Sequence, residues 1–347
     1  MKLDVLAKQC GEWLRGTGPE SDIVISSRIR LARNLAEFPF IRRCTEPNRR
    51  AIERTVRERI REVTEWADAA YLDVFGLPPL DRQLLVERQL ISRELADAEG
   101  PRAVLIDPRE TLSVMINEED HLRIQVMHSG FNLLPAWNEI NHVDDLLEER
   151  LPYAFHDQLG YLTACPTNVG TGMRVSIMFH LPGLVLSREI DKVFRGLQKM
   201  NLAVRGLYGE GSQALGDFYQ ISNQFTLGKT EAQLIERVSE IVPVLLEYER
   251  KARQSLLEHG RKELQDRVSR SLGILRNAHT ISSEETLLLL SSVRLGINLG
   301  LIPDIDIATV NKLFVHTQPA HLQKIRGREL DKAERNEERA TYLKKHL

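Results

Sequence analysis

The stretch that decides the reading is residues 165–182, CPTNVGTGMRVSIMFHLP. A cysteine stands beside a Pro-Thr-Asn turn. Gly170 and Gly172 follow, and Arg174 opens an apolar run at 175–181 that reads as a buried strand. Glycines let a backbone come close to a ligand. An arginine just beyond them offers a planar fork that matches phosphate oxygens. A thiol beside such cations has a reason to ionise. Singly these features are weak, because a glycine pair is more often a plain turn and a cysteine more often a small buried apolar group.

The flanking sequence places this strand in a sheet. Upstream, residues 23–25 are β-branched. The string SSRIRLARNL (26–35) then alternates Arg28 and Arg30 with Ile29 and Leu31, so both arginines share a face if it is extended. Residues 103–105, 112–116 and 122–127 read as strands. Asn117-Glu118-Glu119-Asp120 is the polar turn of the hairpin joining the last two, and Arg123 follows it. Downstream, 203–207 and 218–222 are strands around a loop holding Gly209, Gly211 and Gly216, with Arg205 at its start. Residues 46–70 and 143–151 have helical periodicity. From about residue 231 the chain turns helical: Leu234, Ile235, Val238, Ile241 and Val242 form one apolar face, and Pro243 is placed to kink it. Charged helical sequence continues to about 276, and Ser282-x-x-Glu285 offers a capping box. The expected architecture is an α+β domain over residues 1–250 and an all-helical domain over 251–347.

Composition narrows the function. A formal net charge of -2 over 347 residues gives no global basic field, which argues against bulk nucleic-acid binding. A hydrophobic content of 42% fits a soluble globular chain. The N-terminal residues lack a signal-peptide core. The most apolar late segment, 287–302, is broken by Arg294 and Asn298 and is too short to span a bilayer. Cys10, Cys44 and Cys165 contain no CxxC and suit a reducing compartment. A cytoplasmic protein without membrane attachment is expected.

Arg28, Arg30, Arg123, Arg174 and Arg205 stand in four separate strand or loop contexts. Any one of them reads best as a surface ion pair, whereas five in such strings suggest a phosphate pocket. Glu119 on spacing alone reads as a solvated turn charge. The chain has no HExxH, no Walker GxxxxGK[ST] and no HRD or DFG set. His121 and His128 lie near the turn but receive no role.

Together, the strings at 26–35, 116–124, 165–182 and 205–224 resemble, in order, those of the phosphagen (guanidino) kinases, which move phosphate between ATP and a guanidinium nitrogen. The resemblance implies an antiparallel sheet flanked by helices, similar to the glutamine-synthetase catalytic domain. It implies that the five arginines bind ATP phosphates, with Ser27, Ile29, Val175, Ser176, Ile177, Met178 and Gly206 in the same nucleotide site. A guanidinium arrives protonated, since its pKa is above about 12, so a site must orient its fork and accept a proton. The resemblance assigns the base to Glu119 and guanidinium contacts to Glu210 and Cys165. Mg2+ is implied as a cofactor carried largely by the nucleotide, with no metal site on the protein.

Four departures bear on the acceptor. The SxRxR string begins at Ser26, without the helical domain that precedes it in small-metabolite members. Met178 stands where those often have histidine, Gln220 replaces an aspartate, and the helical domain after 250 is foreign to them. The combination resembles the bacterial branch that phosphorylates arginine side chains in proteins. There the tail carries an Arg-Asp-x-x-Arg-Ala phosphoarginine sensor. Arg335, Arg339 and Ala340 fit, and Asn336 replaces the aspartate. On spacing alone, Arg335 and Arg339 read as a solvated i,i+4 helix face. By the same resemblance, a zinc-binding activator, a stress-response repressor and a Clp protease are expected associates, and a homodimer the expected unit. Two alternatives stay open: a kinase of a small guanidino compound, and a non-catalytic phosphoarginine-binding adaptor.

Overall fold

The computed structural model describes residues 3–206 and 215–347. Among these residues ten strands form in chain order: β1 Val24–Arg33, β2 Ala70–Asp73, β3 Ala103–Ile106, β4 Leu112–Ile116, β5 Leu122–Ser129, β6 Phe155–His156, β7 Gly160–Tyr161, β8 Met173–His180, β9 Leu202–Gly206 and β10 Phe218–Asn223. β6 and β7 make a separate hairpin. The other eight form one antiparallel sheet in the order β2-β3-β4-β5-β1-β8-β10-β9. The expected α+β fold is present.

Alternation along each strand gives the sheet two unlike faces. One carries Ile29, Leu31, Ile124, Val126, Val175, Ile177 and Ile221, all buried. It packs against the helices Glu46–Arg61, Leu133–Glu148 and Glu231–His259, whose apolar stripes complete the main core. Arg33 lies on this side. Its Nε donates to both Asp144 carboxylate oxygens at 3.1 Å, and its guanidinium sits 3.6 Å from the centre of the Tyr161 ring.

The described residues cover the other face only at its margins. At the β2–β4 edge, Val104, Ile106 and Met115 pack with Leu85, Leu90 and Leu95 from the Pro79–Glu87 and Arg93–Asp97 helices and the turn between them. At one end of the strands, Met127, Met178 and Phe218 join Trp13 and the C-terminal helices in a second core. Those helices span Arg261–Asn277, Ser283–Asn298, Ile307–His316, Pro319–Arg326 and Lys332–His346. Buried Arg294 fastens them to the sheet by donating to Asp22 O at 3.0 Å, Ser21 O at 2.6 Å and His180 Nδ1 at 2.9 Å.

Several boundaries differ from the sequence reading. The helix expected at 46–70 ends at Arg61, because Val63 and Trp66 turn into the core and Ala70 pairs at the sheet edge. The helix expected at 143–151 starts ten residues earlier, at Leu133, and accommodates Pro135 in its first turn. Pro243 lies inside the Glu231–His259 helix without ending it, and this helix also runs through residue 250. At Ser282 the hydroxyl accepts from Glu285 N, so one arm of the expected capping box is made.

Candidate active site

Cross-strand pairing fixes which side chains share the partly covered face. Arg28 lies between Met127 and Ser176, and Arg30 between Gln125 and Arg174. Arg123 is opposite Ala32, and Arg205 is opposite Gln220, which pairs with Met178. All five arginines thus stand on one face, from residues far apart in sequence. Each is half-buried. Burial first, and then the charges of Arg123, Arg174 and Arg205, push Arg28 down to about 9. Arg30 is driven well below the ordinary arginine range by burial and by Arg28, Arg123 and Arg174. Among the described residues, the Arg30 Nε is buried without a hydrogen-bond partner. Clustered guanidinium groups are a site for a multiply charged anion.

Arg28 does have partners. Nη2 donates to Gln220 Oε1, and Nη1 to Gln89 Oε1 at 3.2 Å. Both are neutral amides, which hold the fork without cancelling its charge. Arg123 pairs with Glu118, whose carboxylate also accepts from Ser92 Oγ at 2.6 Å and Glu119 N at 2.7 Å.

The Asn117–Asp120 turn forms the rim of this face. Asn117 adopts φ 61 and donates to Arg49 O and Pro101 O. Asp120 accepts from Asn34 Nδ2 and from Ala164 N, both at 2.6 Å. Asn34 in turn donates to Leu162 O at 3.0 Å. The turn, the end of β1 and the cysteine loop are therefore stitched together next to Cys165. Three side chains of the turn are buried in this scaffold. Glu119 alone is half-buried, and burial raises its pKa above the ordinary glutamate value. A carboxylate with a raised pKa, beside arginines, suits a general base. Cys165 is half-buried, with Sγ 3.1 Å from Thr167 Oγ1. Glu210 lies outside the described residues.

The geometry divides the residues of the sequence assignment between the two faces of the sheet. Ser27, Ile29, Val175 and Ile177 alternate onto the helix-packed face, and Gly206 pairs with Tyr219 on that side. The Ser27 hydroxyl is spent on Gly130 O and Asn132 N, each at 2.9 Å. These residues offer a nucleotide no side chain. Ser176 and Met178 do lie on the arginine face. The glycines of the cysteine loop serve its packing: a Cβ at Gly170 would sit 2.9 Å from Leu227 Cα, and one at Gly172 2.6 Å from Ala32 O. His121 is structural, accepting from Leu35 N and bonding Pro39 O, each at 2.9 Å.

In the tail, Arg339 does not share a solvated face with Arg335. It is buried, donating to Thr317 O at 2.7 Å and to Ile281 O and Asn336 Oδ1 at 2.8 Å. Arg335 donates to Leu330 O at 2.7 Å. The sequence reading missed Gln89, Glu118 and Asp120. The last two sit in the turn already singled out, whereas Gln89 carries no local signal.

Known proteins share this design. The family described as ATP:guanido phosphotransferase, C-terminal catalytic domain, matches residues 51–252, and the protein-arginine kinase McsB C-terminal domain matches residues 261–347. A protein-arginine kinase of Symbiobacterium thermophilum is 47% identical over 347 residues, covering 99% of this chain and 98% of its own. One from Halothermothrix orenii is 46% identical, with 99% and 98% coverage. Among solved structures, the duplicated taurocyamine kinase of Schistosoma mansoni with bound transition-state-analogue components superposes with a TM-score of 0.62 and 27% identity, over 68% of this chain and 34% of that one. A lombricine kinase gives 0.60 and 26%, over 75% and 72%.

Proposed function

The chain belongs to the ATP:guanido phosphotransferase family, as one of its protein-arginine kinases, and from that premise we propose how its residues divide the work. The enzyme transfers phosphate from ATP to arginine side chains of proteins. The observation that carries the assignment of roles is the gathering of Arg28, Arg30, Arg123, Arg174 and Arg205 on one sheet face, with Glu119 at its rim. The arginines bind the phosphates and neutralise charge as the γ-phosphoryl group moves. Glu119 orients the acceptor guanidinium and takes its proton. Cys165 and Glu210 complete the acceptor subsite. A face of guanidinium groups offers a cation no oxygen donors, so magnesium would arrive on the nucleotide phosphates and shield their charge there.

The division of labour at about residue 250 is part of the same proposal. Its support is the change of composition and the second core, in which the C-terminal helices pack together against one end of the sheet. So is a phosphoarginine-sensing tail, for which Arg339 would have to exchange a carbonyl for the ligand. A cytoplasmic stress-response setting, a dimeric unit and the named associates belong to it too.

The test is acid-labile phosphate transfer from labelled ATP to an arginine-containing protein, compared with free arginine. Transfer to the protein alone is expected. Replacing Arg28 or Arg174 by lysine keeps the charge, loses the fork and should lower turnover at least tenfold. Unchanged turnover in both variants would overturn the assignment of the arginine face.

A further inference from the structure

The Pro79–Glu87 helix ends in three consecutive residues that reach three different parts of the molecule. Glu87 is buried. Its carboxylate accepts from Ala320 N at 2.9 Å and His321 N at 3.1 Å, the start of the Pro319–Arg326 helix, and meets His321 Nδ1 at 2.8 Å. Arg88, also buried, donates from Nε to Glu110 at 2.7 Å and from Nη1 to Gln9 O at 3.0 Å, with His321 Nε2 at 3.3 Å. Its carbonyl accepts from Trp13 Nε1 at 3.2 Å. Arginine only donates, so His321 Nε2 accepts and Nδ1 carries the proton toward Glu87. Gln89 takes the left-handed conformation, φ 59. Its carbonyl accepts from Gln125 Nε2 at 2.8 Å, and its side-chain oxygen accepts from Arg28 at 3.2 Å.

We propose that Gln89 is a positioning residue for Arg28, held in place from the C-terminal helices through Glu87 and Arg88, so that nucleotide affinity depends on how those helices are seated. The proposal rests on the reading of the arginine face as the ATP-phosphate site. Arg28 is a long side chain among like charges, and repulsion alone would swing it away. Two amide oxygens, from Gln89 and Gln220, pin its fork from two directions. A carboxylate in either place would pin it as well but would cancel the charge meant for phosphate. A non-glycine residue at positive φ is uncommon and persists where its surroundings fix it. Here Gln125, Trp13 and the Glu87 contacts do so. A small cavity lined by Trp13, Leu14, Ile25, Glu87, Gln89 and Phe314 adjoins this junction.

The experiment is Mg-ATP binding to the full chain by calorimetry, with steady-state kinetics on a protein acceptor. The variants are Gln89→Gly, Arg28→Ala and the double variant. Glycine accepts the positive φ, so the fold should tolerate it. Gln89→Gly is expected to weaken ATP binding about tenfold and to raise KM for ATP. In the Arg28→Ala background it should add nothing, since the effect runs through Arg28. Additive losses, or wild-type affinity in Gln89→Gly where Arg28→Ala binds weakly, would overturn the positioning role. Wild-type affinity in Arg28→Ala itself would instead overturn the underlying phosphate site. Glu87→Ala and the milder His321→Ala should each weaken ATP binding several-fold, with no further loss in Gln89→Gly. Wild-type affinity in His321→Ala would break the link to the C-terminal helices, even if Glu87→Ala fails to fold.

Discussion

Glu118 and Glu119 are adjacent in the chain and differ in burial and in partners. Glu118 is buried against Arg123 and Ser92. Replacing it by glutamine leaves Arg123 poorly compensated, and the expected cost is about 3 kcal/mol in urea denaturation. Glu119→Gln should leave stability within about 0.5 kcal/mol and lower kcat by roughly 10²–10⁴. The pH profile distinguishes the base role further. A base works ionised, and burial raises the Glu119 pKa, so activity should fall on acidification at a pH above the ordinary glutamate range. The limb should disappear from the residual rate of Glu119→Gln. A limb that persists there would remove Glu119 from the role. Nothing in the four-residue string separates the two glutamates. The positive φ of Asn117 breaks strand alternation at the turn, so side-chain direction was legible only through the family resemblance.

Individual strands were more readable than turns. The i,i+2 spacing of Arg28 and Arg30 put them on one face, and the register agrees. The same rule excludes Ser27, Ile29, Val175 and Ile177 from that face. The joining of Arg123, Arg174 and Arg205 to that face depends on strand order and register, which single-strand patterns do not contain. Likewise, the link between the β4–β5 hairpin and the cysteine loop is made by Asp120, Asn34 and Ala164 across long separations. Asp120 Oδ1 serves both donors, and Asp120→Asn removes the negative charge that strengthens both hydrogen bonds. The loop carrying Cys165 should lose its seat. KM for the protein acceptor is expected to rise about tenfold, the effect of one lost hydrogen bond to a charged group, with ATP affinity unchanged. Equal loss of ATP affinity would mean that the whole site had shifted.

Across the whole molecule, helical character after residue 231 was plain from periodicity, but the way those helices dock was not. Their anchors are polar contacts across more than 200 residues, such as Arg294 to Ser21 O and Glu87 to Ala320 N. Glu87 makes that docking sensitive to pH. Burial pushes its pKa from the ordinary 4.5 up to about 7, against the opposing pull of the Ala320 and His321 N–H groups. His321 stays neutral, held well below its ordinary value by burial and then by Arg88. A carboxyl group whose pKa is raised on folding favours the folded state when protonated. Its contribution is complete below about pH 4.5 and is lost as pH rises through about 7. The span corresponds to about 3 kcal/mol. Asp120, Asp217 and Glu249 are raised in the same direction by burial, so the pH profile of the wild type alone would not isolate Glu87. The difference between wild type and Glu87→Gln does isolate it, because the other groups cancel. Urea denaturation at a series of pH values should show that difference moving by about 3 kcal/mol in favour of the variant between pH 4.5 and 8. Parallel profiles would mean that Glu87 ionises equally easily in the folded and unfolded chain, and that its contacts with the C-terminal helices carry no pH dependence.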